Sequence, residues 1–390
     1  MLIRCGLLID GVSTEPKRRA SIRVEGANIA TVGEDLAPAP GEPVLDLGGY
    51  TVVPGFVDCH DHLGFDAGEP KDRLTAEPNE WVMAKMVARA RWALEAGVTT
   101  LRDMGEKNHV DLLARRAIAE GLFPGPRLLV AGRSMTMTGG TQSWFEGTEV
   151  DGPEEIRKHV RREVKAGVDV LKMFATGSAA TLRVDMQLPC FTKAEMTVAA
   201  EEAHRAGRRL GVHAHSPIAA RWAVEAGADT IEHGVFLDEE VLALMAERRV
   251  PLILTSGYFQ AAAARTDVPE YMRDRSKAAL DRYLETMAAA RRLGVPVAVG
   301  TDENHGRIDM ELAFMVKAGY TPLEALRAAT AAGAAACGLA DRTGAIRPGL
   351  AADLVALAEN PLERVEAVAR VVLVMKDGVT YVDRTRSAGQ

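Results

Sequence analysis

The chain has 390 residues, 47% of them apolar and 26% charged, with a formal net charge of −7. That length suits one large domain plus a smaller one, and the negative balance argues against a nucleic-acid-binding surface. Four scattered cysteines without a Cys-x-x-Cys pair argue against a disulfide framework or a thiolate zinc site and point to a reducing cytoplasm; no apolar run suits a signal peptide or a membrane span.

The first fifty residues read as short strands, 2–9, 20–24 and 29–32, followed by the Pro-rich Ala37-Pro38-Ala39-Pro40. From Thr51 the pattern becomes strands alternating with amphipathic helices. The predicted strands are 52–58, 99–103, 127–131, 168–174, 210–215, 230–233, 251–255 and 295–301. Helical patterns at 81–96, 153–166, 192–206 and 274–293 lie between them. Ala-Gly-Val or Ala-Gly-Ala precedes strands at 96–98, 166–168 and 226–228, where glycine fits a helix end passing into the next strand.

Eight strands separated by helices predict an α/β fold, a (β/α)8 TIM-like barrel, over residues 53–342. A helical segment at 321–338 ends it. The strand-turn-strand near 371–382 predicts that residues 343–390 combine with 1–52 into a small β-sheet domain, sandwich-like in form.

Catalytic groups of such barrels sit at the C-terminal ends of the strands. Those positions hold His60 and His62 on the first strand, Lys172 on the fourth, His213 on the fifth, His233 on the sixth and Asp302 after the eighth. His-x-His places two imidazoles on one face of a strand, a geometry suited to a divalent metal. His213 and His215 compete for the fifth-strand position, since both face the same side. Tyr258, His305 and Arg183 are candidates for substrate contacts, and His109, His159 and His204 are expected at the surface.

The run Pro54-Gly55-Phe56-Val57-Asp58-Cys59-His60-Asp61-His62, with Val212-His213-Ala214-His215, Ile231-Glu232-His233-Gly234, Gly300-Thr301-Asp302 and the terminal Gly349-Leu350-Ala351-Ala352-Asp353-Leu354-Val355, resembles the amidohydrolase superfamily. The nearer resemblance is to its imidazolonepropionase-like branch, with the prolidase-like and arginine-carboxypeptidase-like enzymes. It implies that His60, His62 and Asp302 hold one metal ion and His213 and His233 a second, with Lys172, carboxylated by carbon dioxide, bridging them. A carbamate suits that place because an ammonium would be repelled by two dications. His215 then becomes a substrate-contacting histidine.

The implied reaction is hydrolysis of a peptide-like or N-acyl amino-acid amide by a metal-bridging hydroxide, with Asp302 moving the proton to the leaving nitrogen. Zinc is the default ion for imidazole and carboxylate ligands. The implied partner is a small amide or peptide-like molecule, with neither nucleic acid nor membrane, and such barrels often form homo-oligomers. Gly177-Ser178 departs from the Gly-Gly common after the bridging lysine, which leaves cyclic amides, lactones and carbamates open as substrates. A one-metal deaminase, or a non-catalytic metal-barrel binding protein, is the alternative reading.

Overall fold

The computed structural model describes residues 1–66, 69, 71–181 and 184–385. Strands from both ends of the chain share one eight-stranded sheet. Its order is Val379–Asp383, Val371–Lys376, Leu354–Leu357, Val44–Pro54, Leu2–Leu8, Ala20–Glu25 and Asn28–Glu34, with Lys17–Arg18 beside Leu2–Leu8. Leu2–Leu8 pairs in parallel with Val44–Pro54, and the other pairs are antiparallel. Ile3, Cys5, Ile22, Val52, Leu354 and Leu373 form its core, each fully buried aliphatic contributing about 1.5–3 kcal/mol.

The remaining strands are parallel. Phe56–Asp61, Val98–Asp103 and Arg127–Val130 form a three-stranded sheet. Gly147–Glu149, Ser134–Thr136, Val170–Phe174, Arg209–Ala214, Thr230–His233, Leu252–Leu254 and Val297–Val299 follow in that order in a seven-stranded sheet. Most of these strands are buried throughout, as parallel strands covered on both faces by other elements are. Helices such as Gly152–Ala166, Lys193–Arg205, Pro217–Ala226 and Glu239–Arg248 alternate with them, and the parallel α/β arrangement is consistent with a TIM-like barrel.

Local chemistry explains the helix boundaries. Thr192 caps the Lys193–Arg205 helix in a reciprocal box with Glu195, and Ser216 and Asp238 cap the two helices that follow. Gly167 and Gly227 end their helices at φ of 98° and 101°, the left-handed conformation that the Ala-Gly repeats predicted.

Two predicted elements are each divided. The strand expected at 52–58 is two strands in different sheets, parted at Gly55. Its N–H donates to Asp353 O at 2.8 Å, whereas Phe56 N–H donates to Gly97 O at 2.9 Å. A Cβ at position 55 would lie 2.1 Å from Thr99 Oγ1, so the crossover needs glycine. Apolar periodicity does not reveal this join, because the residues on both sides of it are buried. The helix expected at 321–338 is Pro322–Ala328 and Ala331–Ala336, broken where Thr330 adopts φ −133° and ψ −99°. His159, expected at the surface, is 2% exposed and donates from Nε2 to Arg133 O at 2.9 Å.

Candidate metal and active site

The residues singled out at the strand ends converge. His60 is the last residue but one of the parallel strand Phe56–Asp61, with His62 just beyond it; Lys172 and His213 lie within strands, His233 ends one, and Asp302 follows Val297–Val299. Lys172 Nζ lies 3.3 Å from His60 Nε2. Asp302 Oδ1 is 3.7 Å from His60 Nε2 and 3.9 Å from His62 Nε2, and Asp302 Oδ2 is 3.6 Å from His233 Nδ1. The ring centroids of His60 and His233 are 4.6 Å apart, and those of His213 and His233 4.5 Å. His60, His233 and Asp302 offer ligand atoms all within 4.8 Å of one another, a set that can hold a metal ion.

Each of these imidazoles is fixed from behind. His60 Nδ1–H donates to Glu232 Oε2 at 2.8 Å, and His62 Nδ1–H to Gly105 O at 3.0 Å. His213 Nε2–H donates to Gly177 O at 2.9 Å, and His233 Nδ1 pairs with Thr255 Oγ1 at 2.7 Å. One nitrogen of each ring is thereby engaged, which sets tautomer and orientation as the outer hydrogen bonds of metal-binding histidines do. Gly300 allows the close approach: a Cβ there would sit 2.5 Å from His60 Cβ. The backbone is bent for the purpose too. His233, Asp302 and Glu303 have φ of 69°, 45° and 70°, left-handed values that cost about 1–3 kcal/mol each in a non-glycine residue.

Burial sets the protonation states. It pushes His62 down to about 4 and His215 to about 3, with the Lys172 charge acting in the same sense. His60, His213 and His233 are also lowered well below the ordinary imidazole range, first by burial. All five rings are therefore neutral near pH 7, the form that ligates metals. Burial lowers Lys172 to about 8, against the pull of Glu232, Glu146 and Asp302, and raises Asp302 to about 8.

His213 and His215 both lie at the pocket, with ring centroids 4.5 Å apart. His213 is tied to Gly177, whereas His215 Nδ1 is buried without a hydrogen-bond partner among the described residues. Tyr258 lines the pocket. His305 is not among the residues lining the pocket; its Nδ1–H donates to Asp61 Oδ2 at 3.0 Å, and its Nε2 is buried without a partner among the described residues. Arg183 lies outside the described residues.

Sequence reasoning missed three groups. Arg102 donates to both oxygens of Glu232, at 2.9 and 3.1 Å, below His60. Glu146 lines the pocket, fully buried, with Oε2 accepting from Ser134 Oγ at 3.0 Å and Oε1 without a partner among the described residues. Gln142 is the third, a pocket-lining residue at φ 57°. Glu232 stood inside a quoted motif, and Arg102 lay near the end of a predicted strand. Glu146 and Gln142 lie in a segment with no periodicity to place them.

The amidohydrolase family model matches residues 51–381. Ochratoxinase of Aspergillus niger is 31% identical across 94% of this chain and 82% of its own length. Imidazolonepropionase of Cutibacterium acnes is 28% identical across 96% of this chain and 90% of its own. A crystal structure of a Xaa-Pro dipeptidase with bound methionine superposes with a TM-score of 0.90 at 30% identity, covering 98% of this chain and 99% of that one. With the family model spanning all the parallel strands of the two inner sheets, the chain belongs to the amidohydrolase family and is a hydrolase of carbon–nitrogen bonds.

Proposed function

We propose that the chain is a two-metal amidohydrolase that cleaves a peptide-like or N-acyl amino-acid amide. One observation carries this reading: neutral imidazoles, each fixed through one nitrogen, surround Lys172 and Asp302 in a single buried cluster. His60, His62 and Asp302 are assigned to one ion, and His213 and His233 to the other. Lys172, its amine partly neutral near pH 8, is assigned to the bridge. Its Nζ adds carbon dioxide, forming an N–C bond and losing a proton, to become an anionic ligand. Divalent ions held there, zinc by the nature of the donors, supply Lewis acidity and lower the pKa of water.

The protein's own groups do the rest. Asp302 accepts a proton from the attacking water at a carboxylate oxygen and delivers it to the leaving nitrogen. Glu232 keeps His60 Nε2 turned toward that carboxylate. Tyr258 and His215 are assigned to the substrate carbonyl or carboxylate. The likeness to the Xaa-Pro dipeptidase favours a dipeptide-like amide over a cyclic one.

The same reading takes the two parallel sheets as one closed (β/α)8 barrel over residues 53–342, with a separate sheet domain from 1–52 and 343–390. Support comes from Asp302 N–H donating to His60 O at 2.8 Å and Asp169 N–H to Val130 O at 2.9 Å, across the two gaps between the sheets. Asp58 reinforces the first, accepting from Thr301 N–H at 3.0 Å and Thr301 Oγ at 2.6 Å. Four unpaired cysteines suit a reducing cytoplasm. Among the described residues no helix is long and apolar enough to cross a membrane. A panel of dipeptides and N-acyl amino acids, assayed with zinc and bicarbonate, tests the function. Hydrolysis that Asp302→Asn abolishes is expected, and equal turnover by the variant overturns the assignment.

A further inference from the structure

A second cavity, of about 300 Å³, opens beside the metal-site pocket, and Gln142, Ala180, Tyr258 and Glu303 line both. These residues form the neck between the two. The second cavity has aromatic walls, including Phe65, Trp144 and Tyr271. Four carboxylate residues line it and, among the described residues, no basic one does.

Three of those carboxylates are already partnered. Asp66 and Asp267 pair with Arg265 at 3.2 and 2.8 Å, and Glu69 pairs with Lys85 at 2.8 Å and Arg89 at 3.2 Å. The fourth, Glu303, sits at the neck with no hydrogen bond or ion pair to its carboxylate among the described residues. On the same neck, Gln142 Oε1 is buried without a hydrogen-bond partner among the described residues, and its backbone is held at φ 57°. Tyr258, 7% exposed, likewise has no partner for its hydroxyl among the described residues. Of these atoms Gln142 Oε1 is the one closed off from solvent, and a buried acceptor left uncompensated is an exception that calls for a cause.

The chemistry of the neck selects a cation that donates hydrogen bonds. A carboxylate and an amide oxygen are both acceptors, and aromatic faces attract a positive charge through their quadrupole. An ammonium group offers three donors and one charge, and the cavity beside it is lined by carboxylate residues with, among the described residues, no basic one. We propose that the neck is an ammonium seat, in which Glu303 and Gln142 Oε1 bind the free amino group of the substrate's acyl portion. Resting on the amide-hydrolase reading, this narrows the substrate class to aminoacyl amides, such as dipeptides with a free N-terminus, over N-acyl amino acids. The residues before strand Gly147–Glu149, and not the strand ends alone, then set specificity.

The test compares Ala-Phe with N-acetyl-Ala-Phe, and measures phenethylammonium and its neutral isostere 2-phenylethanol by calorimetry. The wild type is expected to favour the free dipeptide in kcat/KM by about 10- to 100-fold, the worth of a hydrogen bond to a charged group. Glu303→Gln should cut that ratio to within about threefold, and Gln142→Met should cut it by less. Phenethylammonium should bind more tightly than the alcohol in the wild type and lose that preference in Glu303→Gln. Cleavage of both peptides with no preference, in wild type and variant alike, overturns the seat and leaves the hydrolase reading standing. Ammonium binding that depends on Glu303, with no amide cleaved, keeps the seat and overturns the hydrolase reading. Neither binding nor cleavage overturns both.

Discussion

The interior around His60 contains two layers of buried polar groups that are wired in opposite ways. In the lower layer, Arg102 donates to Cys59 O at 2.5 Å, to Thr230 Oγ at 3.3 Å and to both oxygens of Glu232. Glu232 accepts in addition from His60 and Thr230. No side-chain polar atom of this pair is left over. In the upper layer, Lys172 lies 3.3 Å from His60 and Asp302 lies 3.6–3.9 Å from His60, His62 and His233, mostly beyond hydrogen-bond length, and His215 Nδ1 and Glu146 Oε1 have no partner among the described residues. Full internal satisfaction marks a layer that serves the fold. Groups brought together without bonding to one another mark a layer built to bond to something else, and the left-handed residues His233 and Asp302 lie in this layer. His60 belongs to both, one nitrogen in each.

Breaking the two layers should therefore give different signatures. The largest effect is expected from Asp302→Asn: kcat/KM falling by at least about 10³-fold, with the denaturant midpoint unchanged. A collapse of stability instead would assign Asp302 to the fold. Arg102→Met, in the lower layer, leaves Glu232 buried without its counter-charge. It should cost about 3–5 kcal/mol in chemical unfolding, and Arg102→Met with Glu232→Leu should recover part of that. A double variant no more stable than the single would show that the pair acts otherwise.

Glu232→Gln tests the link between layers. It keeps a hydrogen-bond partner for His60 and removes the charge, so metal affinity should fall about 10- to 100-fold in chelator competition. Unchanged affinity would detach the two layers from each other. The smallest effect lies outside both, at the edge of the terminal sheet. There Asp10 is lowered to about 2 by Lys17 and Ser13, whose hydrogen bonds outweigh the opposing effect of burial. A carboxyl depressed below its unfolded value, about 3.9, stabilises above that pH and loses the contribution as pH falls through 2. Asp10→Asn should cost about 1 kcal/mol at pH 7, after solvent screening, and nothing below pH 2. A pH-independent cost would remove the ionic origin.

The upper layer was the more legible in the sequence. His60, His62, Lys172, His213, His233 and Asp302 stand in or just after the predicted strands, where period-two alternation and the strand-end rule single them out without any contact information. The lower layer was not, because Arg102 and Glu232 are far apart in the chain, and a buried ion pair leaves no periodic trace. The division at Gly55 escaped for a related reason: a strand buried on both faces and a strand changing sheets give the same apolar run. Gln142, Glu146 and Glu303 lie where backbone conformation and not periodicity sets direction, so the side cavity became visible only in three dimensions. Its neck extends the contrast drawn above, with Gln142 Oε1 buried there without a partner among the described residues.

Metal content of the purified protein, measured by mass spectrometry after expression with bicarbonate and without chelator, tests the central claim most directly. Two divalent ions per chain, falling in Lys172→Ala, is the result expected of a paired site bridged by a carboxylated lysine. One ion or none, unaffected by that substitution and by reconstitution, would contradict it.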